Sequence, residues 1–126
     1  MTDKEIFINQ LKRRTKKFTV DIIHFCNSLK TCKASSVIEY QLVKCDSSCG
    51  ANYRAACRAR SKPEFFSKIC IVVEEADETD YWLDIIKEAG LSNEEDELYR
   101  LKNEANELIS IMNKAKNTSY HLRDSK

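Results

Sequence analysis

The only proline of the chain stands in Ser61-Lys62-Pro63-Glu64, between two long stretches without another strong breaker, and this break limits the fold more than any other feature. Proline fits the first turn of a helix because its missing N–H would have no intrahelical acceptor there. The surrounding Ser-x-x-Glu spacing reads as a capping box. The site therefore ends one helix and begins the next. Gly90 is placed to be the left-handed residue that closes this second helix, and Ser36-x-x-Glu39 and Ser92-x-x-Glu95 read as two further capping boxes. Two glycines and one proline in 126 residues are too few turn formers for an all-β chain, and 42% hydrophobic residues are too many for disorder. The fold class is all-α.

Apolar spacing predicts four helices at about 3–30, 36–60, 62–89 and 93–116, with a polar tail, 117–126, expected to fray. Phe7, Leu11, Phe18, Ile22, Phe25 and Leu29 mark the first helix, interrupted near Arg14 and Thr15. The third carries Phe65, Ile69, Val72, Ala76, Thr79, Leu83 and Ile86 in alternating steps of four and three, the spacing of a bundle seam. Leu98, Leu101, Ala105, Leu108, Met112 and Ala115 keep the same register in the fourth. Three short connections make successive helices antiparallel. The expectation is an up-down-up-down four-helix bundle forming one domain, 1–126, with helices roughly 38 Å long at 1.5 Å per residue. The start has no apolar signal core, and no apolar run approaches the roughly 20 residues of a membrane span. A cytoplasmic protein without membrane contact is expected.

Small residues crowd the second helix around Gly50. A glycine in mid-helix costs roughly 1 kcal/mol relative to alanine, so Gly50 predicts the close approach of another backbone. Asn52 lies on the inner stripe and is expected to fix register or oligomeric state. Phe66, Cys70 and Val73 form a second apolar row on the third helix, and Trp82 extends the apolar surface at its other end. One face packs the core, and the second predicts assembly with further copies.

Formal net charge is +1, but residues 1–70 hold 14 Lys or Arg against 6 Asp or Glu, and residues 71–126 hold 7 against 14. Two arrangements produce this asymmetry: a basic face for nucleic acid, or basic helices packed beside acidic ones. Arg13, Arg14, Lys16 and Lys17 on the first helix, with Arg54, Arg58, Arg60 and Lys62 around the end of the second, are the candidates for phosphate contact. Arg54, Arg58 and Lys62 step by four and share a face. No aromatic residues interleave the 12–17 cluster, so binding to RNA or DNA would be led by the backbone and tolerant of sequence.

Little points to catalysis. The six cysteines contain no C-x-x-C pair, and although Cys45 and Cys49 share a helix face, a closed zinc site needs four ligands. They read as small buried hydrophobes with inert thiols. A di-iron bundle needs two Glu-x-x-His motifs, and the nearest segment here is Asp21-Ile22-Ile23-His24. Glu74, Glu75, Asp77, Glu78, Asp80 and Asp84 read as a solvated helix face. Neither a phosphate loop nor a nucleophile elbow is present, so no cofactor, metal or enzymatic activity is expected.

Three segments carry a family resemblance: Ser48-Cys49-Gly50-Ala51-Asn52-Tyr53-Arg54, Ser61-Lys62-Pro63-Glu64-Phe65, and Glu75-Ala76-Asp77-Glu78-Thr79-Asp80-Tyr81-Trp82-Leu83. The chain resembles the bacterial 23S rRNA intervening-sequence protein family, four-helix bundles related to the accessory protein of diversity-generating retroelements. The resemblance implies a ring-like homo-oligomer, a pentamer with a central channel, and through the retroelement relative it implies nucleic-acid binding by basic surface. Cys45 stands where the family pattern more usually has arginine. Two readings remain open: an oligomeric scaffold or adaptor that binds RNA or DNA, and a self-assembling or protein-binding module without nucleic-acid affinity.

Overall fold

In the computed structural model, which describes residues 1–122, the chain forms four helices: α1 (Asp3–Cys26), α2 (Lys33–Cys57), α3 (Lys62–Glu88) and α4 (Glu95–Leu122). Neighbours in sequence are neighbours in space, and α1 closes the ring by touching α4, its sparsest contact. This is the expected antiparallel bundle. Ile22, Phe25, Leu42, Ile69, Val72, Leu83, Ile86, Leu101 and Met112 fill its interior. No helix among the described residues is long and apolar enough to cross a membrane.

The connections show where side-chain chemistry overrode the periodicity. At the start of α1, Thr2 and Glu5 form a complete capping box. The helix stops at Cys26 rather than near residue 30, because the Ser28 hydroxyl donates to the Phe25 carbonyl at 2.6 Å and the Leu29 N–H turns back to Cys26. Lys30 then donates its N–H to the Leu91 carbonyl at 2.9 Å, tying the α1–α2 connection to the α3–α4 connection. The cap of α2 is Cys32, whose sulfur accepts from the Ser35 N–H, so α2 begins three residues before Ser36 and the Ser36-x-x-Glu39 box does not form. Ser61 caps α3 as expected, while the Glu64 carboxylate reaches back to the Arg60 N–H and holds that residue outside α2.

Gly90 has φ +65 and sits where a left-handed residue is required. Its N–H bonds to the Lys87 carbonyl, and the Leu91 N–H bonds to that of Ile86, the pair of bonds that defines a Schellman motif. The third box fails. Ser92 accepts from the Glu94 N–H, and α4 starts at Glu95 with three acidic residues in its first turn, where the helix dipole favours them. Of the tail expected to fray, residues 117–122 continue α4, and 123–126 lie outside the described residues. The tail holds because Ser119 is buried, with its hydroxyl on the Lys116 carbonyl, and Tyr120 packs on Phe66 of α3 at 5.7 Å between ring centroids.

The second apolar row of α3 has a partner within the chain. Val73 is buried in the core, and Phe66 packs on α4, while Cys70 is half-buried. α3 needs a broad apolar surface because it packs extensively on both α2 and α4. Trp82 is half-buried against the core and donates its indole N–H to Glu78. Val73 thus belongs to the core, and Phe66 has a partner within the chain. Gly50 faces α1, but a Cβ there would lie 3.7 Å from the Thr15 side chain, an ordinary contact distance, so the approach at this point leaves room for alanine. The Asn52 amide donates to the carbonyl and hydroxyl of Ser48 one turn back on the same helix.

Candidate nucleic-acid interface at the basic end of the bundle

Antiparallel packing converts the charge gradient of each helix into a property of the whole bundle. Phe18, Cys49, Ala76 and Leu108 line one small cavity and so mark a common level across the four helices. On one side of that level lie residues 1–17, 50–75 and 109–122, with 13 Lys or Arg against 5 Asp or Glu. On the other side, residues 18–49 and 76–108 hold 6 against 14. The molecule has a basic end and an acidic end. Neither alternative drawn from the sequence, a basic face or basic helices laid beside acidic ones, describes this axial arrangement.

The eight candidate phosphate contacts all lie toward the basic end, but they are not equivalent. Arg13, Lys16, Arg54, Arg58 and Arg60 are exposed, and none of their side chains forms an ion pair among the described residues. Lys17 is exposed and pairs with Asp21 at 2.9 Å, and Lys62 is exposed at the start of α3. Arg14 is committed elsewhere. Its Nε and Nη2 donate to the two oxygens of Glu104 at 2.7 Å each, and Nη2 also meets Glu107 at 2.6 Å, so it bridges α1 to α4. Hydrogen bonding to Glu104 raises the guanidinium above its ordinary value, against the opposing effect of its burial.

Two further ion-pair clusters hold the bundle together at and beyond the cavity level. Arg100 of α4 bridges Glu97 and Asp21 of α1, and these bonds with that from Lys17 hold the Asp21 carboxyl below its usual range although burial pushes it up. Lys102 bridges Asp80 and Asp84 of α3. Part of the acidic run on α3 is therefore an interhelical contact. Asp21 likewise serves structure, while His24 is exposed on the outside of α1.

Sequence inspection missed Lys12, Lys68, Lys114 and Lys116, which the topology brings to the same end from α1, α3 and α4. The signal was available: split each expected helix at its middle, and the basic halves alternate in direction as an antiparallel bundle requires. Of the six cysteines, Cys26, Cys45 and Cys49 are buried, Cys57 and Cys70 half-buried, and Cys32 is exposed at its cap position, contrary to the expectation of six buried thiols. Burial pushes the Cys26, Cys45 and Cys49 thiols up to about 12. Cys32 moves the other way, its thiolate favoured by hydrogen bonds from Ser35. Among the described residues no three His, Cys, Asp or Glu side chains gather as a metal site.

The family model of the 23S rRNA-intervening sequence protein matches residues 9–114, all four helices except the outer ends of α1 and α4. The chain belongs to that family. A crystal structure of a protein of unknown function from the S23 ribosomal protein family of Bacteroides thetaiotaomicron is similar across 83% of this chain and 96% of that one. Its identity is 26% and the TM-score 0.73. No curated protein matches the chain. Membership in the 23S rRNA-intervening sequence family agrees with the four-helix bundle seen here.

Proposed function

We propose that this protein is a non-enzymatic, oligomeric scaffold or adaptor of the cytoplasm that binds RNA or DNA through the basic end of its bundle. The observation that carries this reading is the axial separation of charge, with Arg13, Lys16, Arg54, Arg58 and Arg60 on that end and without an ion pair among the described residues. Unpaired cations on a rigid helical frame release counterions when they meet phosphates, which drives association and makes it depend on salt. The contacts this reading invokes are to phosphates, which carry no sequence information. Binding is thus sequence-tolerant.

A fluorescence titration with mixed-sequence oligonucleotides tests the reading. Binding at about 50 mM salt should weaken by tenfold or more at about 200 mM. The double variant Arg54→Glu/Arg58→Glu should bind more weakly still while keeping its helical content. Absence of binding at the lower salt would remove nucleic acid and leave the second reading, a self-assembling or protein-binding module. That alternative is favoured by exposed apolar side chains on α1 and α2, Val20 and Ile23 on the first with Val37 and Tyr40 on the second.

A further inference from the structure

At the level where all four helices meet, α2 buries a carboxyl oxygen that the packing leaves without a partner. Asp46 is 4% exposed, and its Oδ2 has no hydrogen-bond partner among the described residues. Leaving a buried polar oxygen in that state is costly, and in folded proteins such atoms are nearly always satisfied by the protein or by ordered water. The same side chain lines a cavity of about 10 Å³. That volume is at the lower limit for one water molecule and far below what an organic ligand needs.

The walls of the cavity have the chemistry that a water molecule requires. From α3, Thr79 lines it and is 1% exposed, with its hydroxyl donated to the Glu75 carbonyl at 2.9 Å. The hydroxyl oxygen therefore keeps two lone pairs. The Cys45 sulfur, 3.3 Å away, can use one of them, which leaves the second for another donor. Cys49 lines the cavity from α2, and burial pushes its thiol up to about 12, so it keeps its proton and can donate. With Asp46 these make three polar partners, the usual number for a buried water. A cation would need more: among the described residues no three His, Cys, Asp or Glu side chains gather here.

Room for the molecule comes from two alanines, Ala76 of α3 and Ala105 of α4, both on the cavity wall. Each stands in a seam whose neighbouring buried positions are larger, Val72 and Thr79 on α3 and Leu101 and Leu108 on α4. The seams thus narrow together at the level of Asp46. Phe18 of α1 adds an apolar wall.

We propose that this cavity is a binding site for a single structural water molecule that joins α2 to α3, hydrogen-bonded to Asp46 Oδ2, to the Thr79 hydroxyl oxygen and to the Cys49 thiol. The assignment holds in either protonation state of the carboxyl, since an ionised Oδ2 accepts from the water and a protonated one donates to it. It also gives Ala76 and Ala105 a purpose. A larger side chain at either position would take the place of the water and strand Oδ2.

Oxygen-17 relaxation dispersion of the solvent, measured on the full chain, tests the proposal by counting the water molecules held long enough to tumble with the protein. The parent should hold this water, and Asp46→Asn, which keeps an oxygen acceptor, should retain it. Asp46→Leu should lose the amplitude of one water per chain. An unchanged amplitude in Asp46→Leu would overturn the proposal. A crystal structure of the parent, refined with its ordered waters, needs no substitution and decides the matter even if Asp46→Leu does not fold. An ordered oxygen within about 3.2 Å of both Asp46 Oδ2 and Thr79 Oγ1 is expected, and density without it would overturn the site.

Discussion

Gly50 shows how much one missing side chain decides. An added Cβ would meet Thr15 at 3.7 Å, an ordinary contact distance, so Gly50→Ala fits and should raise stability by up to about 1 kcal/mol through helix propensity. Gly50→Leu keeps the gain in propensity but drives its branch into α1, and should cost about 1–3 kcal/mol in a denaturant titration. Equal stability of the two variants would mean that α1 does not press on α2 at this point. Asp46 sets the pH dependence. Its folded value, about 7, lies above the ordinary carboxylate value, so the native state holds the proton that the unfolded chain releases. The contribution is complete below about pH 4 and is lost as pH rises to about 7, a fall of roughly 2–4 kcal/mol that Asp46→Asn should abolish. Comparing the two proteins isolates this effect from Asp21, whose lowered value gives the opposite slope in acid. Neither behaviour could be read from the sequence. Asp46 sits beside Cys45 and Cys49 with nothing in its neighbours to distinguish a buried carboxyl from an exposed one.

Among the elements, α1 is the least secured. Its contact with α4 is the sparsest between any two touching helices, and Arg14 with Glu104 and Glu107, together with Arg100 and Asp21, spans the gap. The Arg14 pair is bidentate and half-buried, a geometry that makes an ion pair worth more than a typical surface contact. A double-mutant cycle of Arg14→Ala and Glu104→Ala should give a coupling of about 1 kcal/mol that shrinks with salt. A coupling near zero would show that α1 is held by its contact with α2 alone. The helices themselves were legible because α3 and α4 keep their apolar register without interruption, and because Pro63 and Gly90 act through backbone geometry that depends on no distant partner. Their ends were less legible: Cys32 takes the capping place of Ser36, and Leu29 leaves the helix to enter the core. What the second apolar row of α3 packs against was also hidden, since Val73 and Phe66 face a neighbour whose position only the assembled bundle defines.

At the scale of the whole molecule, the separation of charge was present in the sequence but visible only after each helix was divided and its direction known. The same topology moves the case for assembly. With Val73 in the core and Phe66 on Tyr120, the exposed apolar groups include Val20 and Ile23 on α1 and Val37 and Tyr40 on α2, the two helices that carry most of the cations without an ion pair among the described residues. We expect copies to associate through these outer faces, which would gather several basic ends around one axis and raise the potential met by a phosphate chain. Light scattering should then give a mass several times 14.6 kDa. The pair Val20→Glu/Tyr40→Glu should return the protein to monomer without loss of helix, since all four of those side chains are outside the core. Nucleic-acid affinity should fall with it, because a single basic end offers fewer phosphate contacts than a group of them. A parent that is monomeric at micromolar concentration would overturn assembly. Unchanged affinity in a monomeric variant would show that each basic end binds alone.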